Sequence, residues 1–168
     1  MTLRIGSKRG FTLVELTIVV FIMATMMAVA VPYFANYYNA AKLNSAARSF
    51  VTACQLARLQ AVTRQGEAVL HLDLDRQQFW VTEGRRRDNP TGSDAVVKHV
   101  DIPANIRLTT ATVGDEREIS EGQTAIRFYP NGTCDPAAVL FRGVEKTALI
   151  SVTLDPVTSK GTAVAGKG

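Results

Sequence analysis

Residues 7–31, "SKRGFTLVELTIVVFIMATMMAVAV", decide the fold. From Phe11 to Val31 the one strongly polar side chain is Glu15. Thr12, Thr17 and Thr25 can satisfy their hydroxyls on a helix backbone. A helix of about 20 apolar residues spans the hydrocarbon core of a bilayer, so this run is long enough. A carboxylate at the centre of such a helix costs roughly 2.5–3.5 kcal/mol on insertion scales and is usually paired or functional. An ordinary secretory signal is organised differently, with its small-residue cleavage site after the apolar core. Here the small residue, Gly10, comes before the core, and no Ala-x-Ala site is clearly placed for cleavage after it. Basic residues flank the N-terminal side only. That end is expected in the cytoplasm and the remainder on the exported side, with Tyr33, Phe34, Tyr37 and Tyr38 as an interfacial belt.

Pro32 falls inside the helical pattern and predicts a kink rather than a stop. Beyond it, Leu43, Ala47, Phe50, Cys54, Ala57 and Ala61 recur every three or four residues, the mark of an amphipathic helix. Lys42, Asn44, Arg48, Gln55, Arg58 and Arg64 line the other face. Gly66 suits the residue just past the helix end. A helix from Phe11 to about Gln65 would be roughly 80 Å long. Its second half carries one apolar stripe that needs a covering layer.

After Gly66 the period shortens to two. Ala68, Leu70, Leu72 and Leu74 alternate with Val69, His71 and Asp73, a half-buried strand. Residues 78–83 return as the second arm of a hairpin. Further strands are predicted over 96–102, 106–112, 124–129, 138–141, 148–154 and 161–164, separated by Pro, Asn, Gly and Asp turns. The fold class is α+β: a long N-terminal helix whose second half packs on an antiparallel domain of two small sheets. Asp73 and Asp75 flank the first turn and are expected in solvent. Phe79 and Trp80 are consecutive in a strand, so one should point inward and the other outward.

The formal charge is +4, but three of the 19 basic residues, Arg4, Lys8 and Arg9, lie in the first ten positions. The rest of the chain is close to neutral, which argues against a nucleic-acid footprint. Arg85, Arg86 and Arg87 form the densest basic run after the leader. They read as a solvated loop tip, with contact to an acidic partner, a neighbouring subunit or DNA as the alternative. Cys54 and Cys134 match no zinc or redox motif. In an exported body they could bond, whereas a single buried Cys behaves as a small hydrophobe. His71 and His99 sit in separate strands without partners at metal-ligand spacing, so no metal is expected. No nucleophile elbow or phosphate loop occurs, so no enzyme activity and no cofactor are expected.

"GFTLVE", Gly10 to Glu15, followed by the apolar run, resembles the class III signal of type IV pilins and type II secretion pseudopilins. The resemblance implies cleavage between Gly10 and Phe11 by a prepilin peptidase and N-methylation of Phe11 by the same enzyme. It also gives Glu15 a partner, the cationic N-terminus of Phe11 on a neighbouring subunit, and so a role in assembly and registration. Pro32 sits where pilin helices commonly kink. In the body, "IRFYPNGTCDPAAVLF" and "ALISVTLDPVTSKGTAV" resemble the minor pseudopilins of the H type, the GspH/FimU group. The last hairpin departs from the group's common Thr-Gly-basic turn, reading Thr158-Ser159-Lys160-Gly161. The calcium-loop cluster of Asp and Asn carried by major pseudopilins is missing from the sequence, which favours a minor subunit.

The organisation implied is a leader at 1–10, a transmembrane or filament-core helix at 11–31, an amphipathic continuation at 32–66 and a periplasmic β-rich domain at 67–168. The function implied is a structural minor pseudopilin of a type II secretion pseudopilus. Its expected partners are the prepilin peptidase, other pseudopilins, an inner-membrane assembly platform with its cytoplasmic ATPase, and the lipid bilayer. The alternative within the family is a minor pilin of a type IV pilus or DNA-uptake filament. A tethered enzyme or receptor would leave Gly10 and Glu15 unexplained.

Overall fold

The structure is a computed structural model. It describes residues 11–86, 95–114, 118–143 and 148–167; for residues 31–37, 85, 86 and 167 it describes the backbone alone. Among the described residues one α-helix, α1, spans Leu13–Arg64, and eight strands follow. They are β1 (Gly66–Asp73), β2 (Gln78–Arg86), β3 (Val96–Asp101), β4 (Ile106–Val113), β5 (Gln123–Phe128), β6 (Ala137–Gly143), β7 (Ala148–Leu154) and β8 (Gly161–Lys167). All pairings are antiparallel, and they make two four-stranded sheets ordered β3-β2-β1-β5 and β4-β6-β7-β8. The expected class, α+β with two small sheets, is the observed one.

Two compact units are distinguished, Met1–Tyr38 and Asn39–Gly168. In the first, Thr12 caps α1. Its hydroxyl accepts the Glu15 N–H at 3.2 Å and its carbonyl accepts the Leu16 N–H at 3.2 Å. The Thr17 and Thr25 hydroxyls donate to the carbonyls of Val14 and Ile22 at 2.8 Å, so neither needs water. The stretch Leu13–Ala30 has a mean hydropathy of 2.4 and none of it is buried, which makes it long and apolar enough to cross a membrane. The helix continues through Pro32, so the proline ends nothing.

In the second unit, α1 buries Leu43, Ala46, Ala47, Phe50, Ala53, Cys54, Ala57 and Ala61. Most of these are alanines, which let the sheets approach the helix backbone. Phe50 is the largest of the others, beside Leu43 and Cys54. Its ring meets Phe79 of β2 edge-on at 5.6 Å and Phe141 of β6 at 5.7 Å, so one side chain touches both sheets. Around it Leu70, Leu72, Val81, Ile126, Phe128, Val139 and Val152 complete one core. Full burial of each Leu, Ile or Phe contributes about 1.5–3 kcal/mol.

The helix end differs from expectation. Gln65, not Gly66, takes the left-handed conformation, at φ 51°, and Gly66 already belongs to β1. Gln65 secures this with its own side chain, whose amide donates to the Val62 carbonyl at 2.8 Å. Gly66 is instead at the irregularity in the β1–β2 pairing, where the register shifts before Ala68. Arg64 in the last helical turn bonds the Glu83 carboxylate of β2 through two 3.0 Å contacts.

Candidate processing and assembly site

The residues around the sequence motif come first. Gly10 lies outside the described residues. Phe11 is exposed, as are Leu13, Val14 and Leu16. The Thr12 cap fixes where the helix begins, and so places Glu15 in its first turn, among the N–H groups that the helix leaves unpaired. From Phe11 to Tyr38 the sequence holds no Lys or Arg. No ion pair of Glu15 is found among the described residues.

The body brings together groups that the sequence kept apart. His71, Trp80 and His99 face one another across β1, β2 and β3 in register. The three rings stack, with centroids 5.1 Å apart for His71–Trp80 and 6.2 Å for Trp80–His99. His71 Nε2 contacts Thr82 Oγ1 at 3.0 Å, and His99 Nε2 contacts Asp101 Oδ1 at 3.1 Å. Phe79 points inward, as the alternation requires. The histidines are thus sheet residues, and the pairing register is what makes them neighbours. Arg85 and Arg86, expected at a loop tip, instead continue strand β2; Arg87 and the side chains of the other two lie outside the described residues.

Asp73 corrects an expectation: it is buried, not solvated. Its Oδ1 accepts the N–H groups of Asp75 (3.1 Å) and Arg76 (2.8 Å), and its Oδ2 accepts the Gln123 amide (2.7 Å). The Arg76 N–H bond, aided by Gln123, lowers the Asp73 pKa despite its burial. Asp75 Oδ1 in turn accepts the Gly122 N–H at 3.1 Å. The carboxylates therefore build the turn and tie it to the start of β5.

A 570 Å³ cleft adjoins that strand, lined by His71, Gly114, Gln123, Ala125, Arg127 and Asp135 among others. Asp135 is engaged, accepting the Arg127 N–H at 3.2 Å and the Tyr129 hydroxyl at 3.0 Å. The bond to Asp135 raises the Tyr129 pKa. At the other end, the turn before β8 is shaped by Asp155, which accepts the Val157 N–H and the Thr158 hydroxyl at 2.9 Å each. Ser159, at φ 51°, takes the left-handed position that glycine commonly fills, and its buried hydroxyl donates to the Gly132 carbonyl at 2.8 Å. Among the described residues no group of three or more His, Cys, Asp or Glu could hold a metal ion.

Comparison with known proteins agrees with both halves of this geometry. The model of the prokaryotic N-terminal methylation motif matches residues 5–31, covering Gly10, Phe11, Glu15 and the apolar helix. The model of the GspH family, type II transport protein GspH, matches residues 46–158. No curated protein matches the chain. Two structures of the minor pseudopilin EpsH from the type II secretion system of Vibrio cholerae share the fold. One has a TM-score of 0.54 at 13% identity, over 76% of this chain and 95% of that one. The other has a TM-score of 0.51 at 12% identity, over 75% and 97%. The type IV minor pilin FimU of Pseudomonas aeruginosa is 18% identical over 75% of this chain and 87% of its own, at a TM-score of 0.46, a level that carries no conclusion. With two-thirds of its length matched by one family model, the chain belongs to the GspH family of type II transport proteins.

Proposed function

We propose that the chain is a minor pseudopilin: a structural subunit, without chemistry of its own, that enters a periplasmic filament serving type II secretion. The observation that carries this reading is Glu15, alone in an exposed apolar helix that begins just after Gly10 and Phe11. Cleavage between Gly10 and Phe11 by a prepilin peptidase would create an amino group at the start of that helix, and methylation of Phe11 would leave it cationic. Before assembly the helix lies in the inner membrane, with the basic leader in the cytoplasm and the body outside. On assembly, Glu15 pairs with the Phe11 amino group of a neighbouring subunit. The pairing removes an unpaired charge from an apolar setting and fixes the axial register of adjacent helices. Pro32 gives the helix freedom to bend between its anchor and its body.

The test is a strain lacking this gene, complemented with wild type, Glu15→Leu or Gly10→Val, and scored for release of secreted proteins and for twitching and transformation. Secretion lost with the deletion and unrestored by Glu15→Leu supports the reading. Loss of twitching or transformation with secretion intact would instead make the chain a minor pilin of a type IV pilus or DNA-uptake filament.

A further inference from the structure

We propose that Cys54 and Cys134 are a redox pair that closes to a disulfide tying α1 to the C-terminal half of the body. Both thiols are buried in the same core and are unbonded in this structure. They come from distant parts of the chain, but three contacts hold their surroundings together. Arg58, one helical turn past Cys54, donates through Nε to the Gly132 carbonyl at 3.2 Å. A Cβ at Gly132 would stand 3.7 Å from Val62 Cγ2, so the backbone there lies directly against α1. The Ser159 hydroxyl holds the same Gly132 carbonyl from the other side. Cys134, two residues on, has its N–H on the Pro156 carbonyl and its thiol 3.7 Å from the Asp155 carbonyl. Burial raises the Cys54 thiol far above its ordinary range, and the nearness of Cys134 raises it further.

Two buried thiols in one apolar core are suited to a covalent link, since bonding removes two weakly satisfied S–H groups. The core shuts out any oxidant once folded, so closure belongs to folding after export, and this step rests on the exported topology proposed above. The thiolate of one cysteine attacks the disulfide of a thiol oxidase, expelling one of the oxidase thiolates and leaving a mixed disulfide. The second cysteine thiolate attacks the cysteine sulfur of that bond, forming Cys54–Cys134. The oxidase leaves as a dithiol with the two electrons, and the two cysteine protons pass to solvent and to its thiolates. The link closes a loop of about 80 residues, the long-loop case in which a cross-link most restricts the unfolded chain.

The experiment expresses the full-length chain in cells. Protease access to the body in spheroplasts reports export separately. Thiols are then counted by maleimide-polyethylene glycol labelling under denaturing conditions, with and without prior reduction. Wild type should take no label unreduced and two labels after reduction, while Cys54→Ser and Cys134→Ser should each take one label regardless. In detergent, reductant should lower the Tm of wild type by roughly 5–15 °C and leave the doubly substituted Cys54→Ala/Cys134→Ala protein unmoved. An exported wild type that takes two labels without reduction overturns the proposal. If the body is not exported, the proposed function fails first. The purified chain, refolded in oxidised glutathione, then decides the cysteine question by the same count with intact mass, two free thiols or two glutathione adducts overturning the pair and neither supporting it.

Discussion

The Gln77 side chain grips the backbone of Leu108 at both ends of its amide. Its Nε2 donates to the Leu108 carbonyl at 3.0 Å and its Oε1 accepts the Leu108 N–H at 2.7 Å. Gln77 sits in the turn between β1 and β2, and Leu108 lies where the β4–β6 register shifts, so the amide joins the two sheets at a gap in one of them. Gln77 also has φ 56°. Two effects are therefore superimposed at this residue and can be separated. Gln77→Ala should destabilise by about 1–3 kcal/mol through the orphaned Leu108 groups. Gln77→Gly should recover about 1 kcal/mol of that by relieving the left-handed backbone. Thermal melts of the full chain in detergent would read both; equal, negligible shifts would show that the grip does not matter.

Phe50 should be the most costly truncation on α1. Phe50→Ala is expected to lose roughly 3–5 kcal/mol of stability by denaturant titration. Double-mutant cycles with Phe79 and with Phe141 should each return a coupling of about 0.5–1.5 kcal/mol. Coupling to one ring only would mean that Phe50 belongs to one sheet rather than to both.

Gly84 should tolerate no side chain. A Cβ there would stand 2.8 Å from the Glu67 carbonyl carbon and closer still to its oxygen, beside the β1–β2 irregularity. Because backbone cannot move aside as a flexible side chain does, Gly84→Ala is expected to cost about 1–3 kcal/mol. Gly114→Ala is the contrasting case: its Cβ would meet open space, and only its φ of 65° opposes the change. A melt unchanged by Gly84→Ala would show that the strand reaches β1 less closely.

Acid should weaken the body through Asp73 and Asp155. Both carboxyl pKa values are lowered in the folded chain, Asp73 chiefly by the Arg76 N–H and Asp155 chiefly by the Val157 N–H. A lowered folded value means that the unfolded chain binds protons first as pH falls. The stabilisation is thus complete above the ordinary aspartate pKa of about 3.9 and is lost as pH drops through the lowered folded values. Urea midpoints between pH 6 and 2.5 should fall more steeply for wild type than for Asp73→Asn, whose stability should be lower at pH 6. Parallel curves would remove Asp73 from the acid response.

Much of this fold was legible because its signals are local. The apolar stripe of α1 repeats every three or four residues, and the alternation at Ala68, Leu70, Leu72 and Leu74 fixes a strand by itself. Glu15 stands out in the sequence for the opposite reason, as a single break in an otherwise uniform pattern. What stayed hidden depends on register. Asp73 looks like a turn residue in sequence, but its burial needs Gln123, fifty residues later, to reach it across the β1–β5 pairing. The stack of His71, Trp80 and His99 exists only because three strands align at that row. Gln65 and Ser159 took backbone conformations that favour glycine, each with a compensating side-chain bond, local to Val62 for Gln65 and long-range to Gly132 for Ser159. Glycine at position 66 drew the helix boundary one residue too far for the same reason.

The alanine stripe on α1 has a mechanical meaning. Ala46, Ala47, Ala53, Ala57 and Ala61 present a nearly smooth surface, so they offer little to stop the helix from sliding along its own axis under the sheets. Phe50 is the largest tooth in that surface, held by a ring from each sheet, with Leu43 a smaller one two turns earlier. Shear along α1 within the body would concentrate on Phe50 first, with the Arg58–Gly132 and Arg64–Glu83 bonds further along the helix as secondary stops. A subunit built this way would yield by slipping one notch rather than by stretching gradually.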